Sequence, residues 1–152
     1  MKRLHQKIKG RGSSDNPINR FEGNYIDYDL DEETGEKPHP KTTFLTDHTK
    51  EIISYNKSPD IPFNAGLNVY RGCEHGCIYC YARPFHEYLG FSAGLDFESK
   101  IMVKHKAPEL LKKTLQSAKW KPQVIAMSGI TDCYQPIDRT LLLTRKCLSV
   151  LA

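Results

Sequence analysis

The apolar residues of this chain follow two alternating periodicities after residue 60. Three short runs that are apolar or alternating predict strands, at residues 66–70, 100–104 and 124–127. Three longer segments carry apolar side chains at helical spacing and predict helices, at residues 82–89, 108–119 and 139–151. Because strand and helix alternate, the pattern predicts an α/β fold with parallel strands and covering helices.

The first sixty residues lack such a pattern. They combine Gly10, Gly12 and Pro17 with an acidic run at residues 27–36, a composition typical of loops and extended segments. We therefore predict an irregular N-terminal arm over residues 1–60 and a core domain over residues 61–152.

Composition places the chain among small globular proteins. Its 152 residues are 39% hydrophobic, which suits one modest core. The apolar runs are far shorter than the ~20 residues of a membrane span, and the basic N-terminus lacks the apolar stretch of a secretory signal. We therefore predict a cytoplasmic protein without membrane association. A net charge of +4 is too small to indicate a nucleic-acid partner by itself.

The five cysteines carry the strongest chemical signal. An odd count in a reducing compartment favours metal ligands or catalytic thiols over a disulfide framework. Three of them lie in Cys73-Glu-His-Gly-Cys77-Ile-Tyr-Cys80, directly after a predicted strand. We call residues 73–80 the cysteine loop. Thiolates are the standard ligands of iron–sulfur clusters, and three of them leave one of the four irons of a 4Fe-4S cluster open. The alternative is a structural zinc site completed by His75 or His86.

This spacing, with the aromatic Tyr79 directly before the third cysteine, resembles the radical S-adenosylmethionine superfamily. Further stretches resemble its branch of proteins similar to spore photoproduct lyase, often called DNA-repair-photolyase-like. They are Gly10-Arg-Gly12, Asn16-Pro17 with Asn19-Arg-Phe21, residues 56–63, residues 70–84, Leu95-Asp-Phe-Glu98 and Thr131-Asp-Cys-Tyr-Gln-Pro136. Two positions depart from the branch, namely Cys133, where proline is more usual, and Asp138, where glutamate is more usual.

The resemblance implies a fold, two cofactors and a site. The fold is a partial (β/α)6 barrel of the TIM type, with the 4Fe-4S cluster on Cys73, Cys77 and Cys80. The open iron would bind S-adenosyl-L-methionine, which the reduced cluster cleaves to a 5′-deoxyadenosyl radical that abstracts hydrogen from a substrate. The cofactor contacts carried over are Tyr79, which would frame the adenine, and three residues of a polar segment after the strand at 124–127, namely Ser128, Thr131 and Asp132.

The implied partners are a reducing electron donor of the flavodoxin or ferredoxin type and, by analogy with photoproduct repair alone, a nucleic-acid substrate. A complete barrel of this class needs roughly 250 residues, so we expect a truncated core domain that is inactive alone. A second hypothesis is a non-enzymatic zinc or iron–sulfur module. The polar segment favours the enzyme, because a structural metal module does not need it.

Overall fold

The computed structural model of the protein describes residues 8–23 and 40–152. The strands in this part of the chain are β1 (Thr43–Thr46), β2 (Ile53–Tyr55), β3 (Ala65–Leu67), β4 (Tyr70–Arg71), β5 (Lys100–Val103) and β6 (Ile125–Met127). A 3₁₀ helix spans Arg83–Leu89, and the α-helices are α1 (Leu95–Ser99), α2 (Ala107–Leu115), α3 (Asp138–Leu141) and α4 (Leu143–Leu151). The acidic run at residues 27–36 lies outside the described residues.

The predicted elements all have counterparts at nearly the expected places. The strand predicted at 66–70 is divided into β3 and β4, and the helix predicted at 139–151 is divided into α3 and α4. The second break falls at Leu142, whose φ of 54° is left-handed and cannot continue a helix. Strands β1 and β2 occur within residues 1–60, where the pattern predicts no regular element.

The protein is a mixed α/β structure with two small three-stranded sheets, in the orders β1-β5-β4 and β2-β3-β6. The described residues form no closed barrel. Strands β3 and β6 are parallel, as predicted. The expectation of parallel strands is wrong for β5, which pairs antiparallel with β4. The intervening segment returns on itself, because the Cys73 amide donates a 2.9 Å hydrogen bond to the Phe97 carbonyl and so brings its two ends together.

The chain divides into two compact units. Unit 1 consists of Met1–Phe44 and Gly72–Ile101, and unit 2 of Leu45–Arg71 and Met102–Ala152. Each unit combines segments that are far apart along the chain. The boundary at residue 60 stays a prediction.

In unit 1, residues 8–23 have no helix or strand, yet they are held by specific hydrogen bonds. The Asn16 side chain exchanges two bonds with Asp96, donating to its carboxylate at 3.0 Å and accepting from its amide at 2.9 Å. Buried Asn19 donates to the carbonyls of Glu87 and Phe91 at 2.9 and 2.8 Å. This part of the predicted arm is therefore an integral piece of unit 1.

In unit 2, α2 packs against α4, and Leu111 and Cys147 are fully buried. Burial raises the pKa of the Cys147 thiol to about 11. The Tyr70 hydroxyl, also fully buried, donates a 2.5 Å hydrogen bond to Asp138. Burial first and this carboxylate second raise the pKa of Tyr70.

Among the described residues, no helix has the length and apolar character needed to cross a bilayer.

Candidate functional site

The cysteine loop is a succession of tight turns. The carbonyls of Cys73, Cys77 and Cys80 accept hydrogen bonds from the amides three residues later, at 3.3, 3.1 and 3.4 Å. Gly76 has a φ of 62°, and a β-carbon at this position would lie 2.5 Å from the Glu98 carboxylate. Glycine is therefore required here both by the backbone conformation and by the close approach of a buried acid.

The three loop cysteines differ in their surroundings. None of them forms a disulfide. Cys73 is buried in a small cluster with Ala82 and Phe97, and Cys80 packs against that cluster. Tyr79 is 86% exposed, and its hydrogen bond with Cys77 raises its pKa. Over residues 8–23 and 40–152, no three His, Cys, Asp or Glu side chains are grouped closely enough to hold a metal ion.

Arg83 is the residue that holds the loop backbone. Its Nε donates to the Cys77 carbonyl at 3.0 Å, and one terminal nitrogen donates to the Gly76 carbonyl at 2.9 Å. The same nitrogen lies 2.5 Å from Oε1 of Glu98, and the two side chains are 11% and 0% exposed. Arg83 is therefore a largely buried residue that supports the loop.

Glu98 connects this arginine to the N-terminal segment. Its carboxylate accepts hydrogen bonds from the amides of Gly12 and Ser13 at 2.9 and 2.8 Å. Arg11 donates to the Glu98 backbone carbonyl at 2.8 Å. A β-carbon on Gly12 would meet the Gly76 carbonyl oxygen at 1.7 Å. The Gly10-Arg-Gly12 stretch is therefore fitted against the cysteine loop.

Sequence reasoning missed the role of Glu98. The only signal was that Gly10-Arg-Gly12 and Leu95-Asp-Phe-Glu98 both occur among the stretches that resemble one family. Nothing in a single sequence says that these two stretches, separated by more than eighty residues, share a hydrogen-bonded carboxylate.

His86 is also buried rather than superficial. It is 2% exposed and lies between the rings of Phe91 and Phe97, with ring centroids 5.2 and 5.6 Å away. Burial lowers its pKa to about 4. Its Nε2 has no hydrogen-bond partner among the described residues. His86 is therefore part of the packed interior of unit 1.

The polar segment at residues 128–132 belongs to unit 2 and follows β6. Its hydroxyl groups bond to backbone: Ser128 donates to the Thr131 carbonyl at 2.7 Å, and Thr131 donates to the Tyr70 carbonyl at 3.0 Å. Thr131 is 4% exposed. Asp132 is exposed, and its carboxylate accepts the Tyr134 amide at 2.7 Å. The segment is thus ordered by its own hydrogen bonds, with Asp132 open to solvent.

The segment also lies at the carboxyl edge of the parallel pair. The Ser128 amide donates to the Leu67 carbonyl at 3.1 Å, which extends the ladder beyond β6. The Ile130 amide donates to the Asn68 side chain at 3.0 Å. The chain therefore leaves β3 and β6 at one edge of this sheet.

No protein-family model matches the chain, and no solved structure matches it. It is similar to an uncharacterized protein of Mycobacterium bovis, 38% identical over 100 residues that cover 64% of this chain and 29% of that protein. An uncharacterized protein of Mycobacterium tuberculosis matches with the same values. An uncharacterized protein of Methanocaldococcus jannaschii is 34% identical over 99 residues, 65% of this chain and 34% of that protein. The chain thus spans about a third or less of the length of these relatives.

Proposed function

We propose that this chain contributes the cluster-binding region of a radical S-adenosylmethionine protein, with Cys73, Cys77 and Cys80 as the ligands of a 4Fe-4S cluster. The observation that carries the proposal is a loop with three cysteines in eight residues, none of them in a disulfide, whose backbone is held by a buried arginine–glutamate pair. Thiol chemistry and loop length both suit a cluster. The thiols do not converge in the described structure, so loading requires these side chains to turn toward one another.

Arg83 and Glu98 have a positioning role in this proposal. Arg83 binds loop carbonyls rather than thiols, so it can hold the backbone while the cysteine side chains reorient. Glu98 fixes the guanidinium and offsets the cost of burying it.

When bound, the cluster supplies the electron that cleaves S-adenosyl-L-methionine. In this chain, Tyr79 is exposed and free to stack on an adenine ring, and Asp132 offers a carboxylate to an ammonium group. Ser128 and Thr131 would shape the segment around the cofactor, because their hydroxyl protons are used internally. A flavodoxin- or ferredoxin-type donor, a cytoplasmic location and a nucleic-acid substrate remain parts of the proposal.

We further propose that unit 2 is part of a partial (β/α)6 barrel. The parallel pairing of β3 and β6 supports this, with α2 between them along the chain. Binding sites of such folds lie at the carboxyl ends of the strands, and the polar segment lies at that edge.

The test is anaerobic reconstitution with iron and sulfide, followed by iron counting and electron paramagnetic resonance of the dithionite-reduced protein. We expect a cluster signal that shifts when S-adenosyl-L-methionine is added. The triple variant Cys73→Ser, Cys77→Ser, Cys80→Ser should lose the signal, whereas Cys133→Ser, outside the loop, should keep it. Tight zinc binding without any cluster would refute the proposal.

The second candidate is a non-enzymatic metal module. It is favoured by one observation, that the hydroxyl groups of Ser128 and Thr131 are already satisfied by backbone carbonyls. In that case a cluster forms, or zinc binds, but S-adenosyl-L-methionine leaves the spectrum unchanged. The same titration therefore separates the two candidates.

A further inference from the structure

A basic cleft in unit 2 is unrelated to the cysteine loop. It has a volume of about 510 Å³ and lies between the segment after β1 and the start of α2. Four lysines and two histidines line it, namely Lys50, Lys104, Lys106, Lys113, His48 and His105. Its volume falls within the range typical of small-molecule sites, about 300–1,000 Å³.

The positive charge of this cleft is not neutralised from within. Asp47 is the acidic residue in its lining, and the Asp47 carboxylate is 2.7 Å from Nε of Arg71. Among the described residues, the ammonium groups of Lys50, Lys106 and Lys113 have no hydrogen bond or ion pair. A solvated basic face is the usual explanation of such lysines, but here they line one concave surface, which concentrates their field.

Helix α2 determines the spacing of two of these lysines. Lys106, at its N-cap, and Lys113 are seven residues apart with Leu110 between them, so they share one face of the helix. They are separated by about 10 Å along the helix axis. A ligand with two or more phosphates matches this separation, because each phosphate can face its own lysine.

Lys104 adds a positioned cation. It is 8% exposed, and its ammonium group donates to the Asn68 carbonyl at 2.8 Å. Burial and then the charge of Arg71 lower its pKa to about 8, so it remains mostly charged at neutral pH. A bound anion would relieve the cost of burying this charge.

A second depression of about 290 Å³ adjoins the cleft and shares Lys50, Leu110 and Lys113 with it. It is lined by Ile53 and by Tyr55, which is 64% exposed. An exposed tyrosine ring beside a basic cleft offers a stacking surface for a planar base.

We propose that this cleft binds a nucleoside polyphosphate, with two or more phosphate groups between Lys106, Lys113 and Lys50 and the base against Tyr55. Charge complementarity and the size of the concavity carry the inference. It does not depend on the cysteine loop or on the proposed cluster.

Isothermal titration of the full chain with ADP, pyrophosphate and single-stranded oligothymidylate, at neutral pH and low ionic strength, tests this. We expect saturable binding of ADP at one site. Lys113→Gln should weaken it at least about tenfold, the loss of one charge-assisted contact. Lys112→Gln is the matched control, because Lys112 is exposed on the same helix and does not line the cleft. It should change the affinity less than about twofold.

Tyr55→Ala should weaken ADP but not pyrophosphate, with circular dichroism confirming that each variant is folded. The inference is overturned if neither ADP nor pyrophosphate binds, or if Lys112→Gln weakens ADP as much as Lys113→Gln. Tighter binding of oligothymidylate than of ADP would instead identify a nucleic-acid strand as the occupant and overturn the small-ligand assignment. Equal affinity for ADP and pyrophosphate would overturn the assignment of a nucleoside, because the base would then contribute nothing to binding.

Discussion

Replacing Glu98 by glutamine removes one negative charge from the centre of unit 1 while keeping the shape of the side chain. The carboxylate is fully buried and accepts from the amides of Gly12 and Ser13 and from the Arg83 guanidinium. An amide has one oxygen, so at least one of these donors would face an NH₂ group. The Arg83 charge would also lose its partner while remaining 11% exposed.

The expected loss of folding stability in Glu98→Gln follows from these contacts. Removing one partner of a buried ion pair costs about 3–5 kcal/mol, because the remaining charge is left uncompensated. The glutamine oxygen still accepts some of the hydrogen bonds, so we expect the lower end, about 3 kcal/mol. If the loss is confined to unit 1, local opening of the cysteine loop becomes about a hundredfold more frequent.

Amide hydrogen exchange measured by mass spectrometry locates this effect. Peptides covering residues 8–15 and 72–83 should exchange faster in Glu98→Gln, whereas peptides from α4 should not. Glu22→Gln is the control, because Glu22 is exposed and belongs to the same unit. Equal exchange of the loop peptides in the two variants would refute the role assigned to Glu98.

Three further predictions concern stability, measured by urea unfolding. Gly12→Ala should lose at least about 2 kcal/mol by overpacking, because its β-carbon would lie 1.7 Å from a carbonyl oxygen of the cysteine loop; Gly23→Ala, with nothing within 4 Å, should not. His86 has its pKa lowered from 6.5 to about 4, so the unfolded chain takes up its proton first. The free energy of unfolding should therefore be highest above pH 6.5 and fall by on the order of 3 kcal/mol towards pH 4. A His86→Phe variant whose free energy of unfolding falls as steeply with pH would contradict this. Leu142→Asn should raise the free energy of unfolding by about 1 kcal/mol, because asparagine adopts a left-handed backbone conformation at lower cost than leucine. Leu148→Asn, at an equally exposed position within α4, should not raise it.

Local sequence patterns predicted the elements well where one periodicity dominates. Helix α2 and strands β5 and β6 lie within a few residues of the predicted ranges. The pattern predicted less where the chain must turn sharply. Nothing in a run of leucines marks Leu142 as the residue that takes a left-handed conformation and divides two helices. That choice depends on which surfaces the two helices must cover.

At the candidate site, too, the sequence predicted one part and the structure revealed another. The spacing of Cys73, Cys77 and Cys80 predicts iron–sulfur chemistry from the sequence alone, and this stays a prediction. The residues that support this loop, Arg83 and Glu98, had no comparable signal, since an isolated arginine or glutamate is more often a solvated surface residue.

The sequence by itself therefore determined the order and type of most elements, because helix and strand periodicities are local properties of neighbouring residues. It also supplied the spacing from which three thiols are proposed as metal ligands. Only the tertiary structure decided that β5 runs antiparallel to β4, that Gly12 lies against the cysteine loop, and that Lys50 shares a cleft with Lys113. Such contacts join residues far apart along the chain, and they depend on the path between those residues rather than on the pattern at either end.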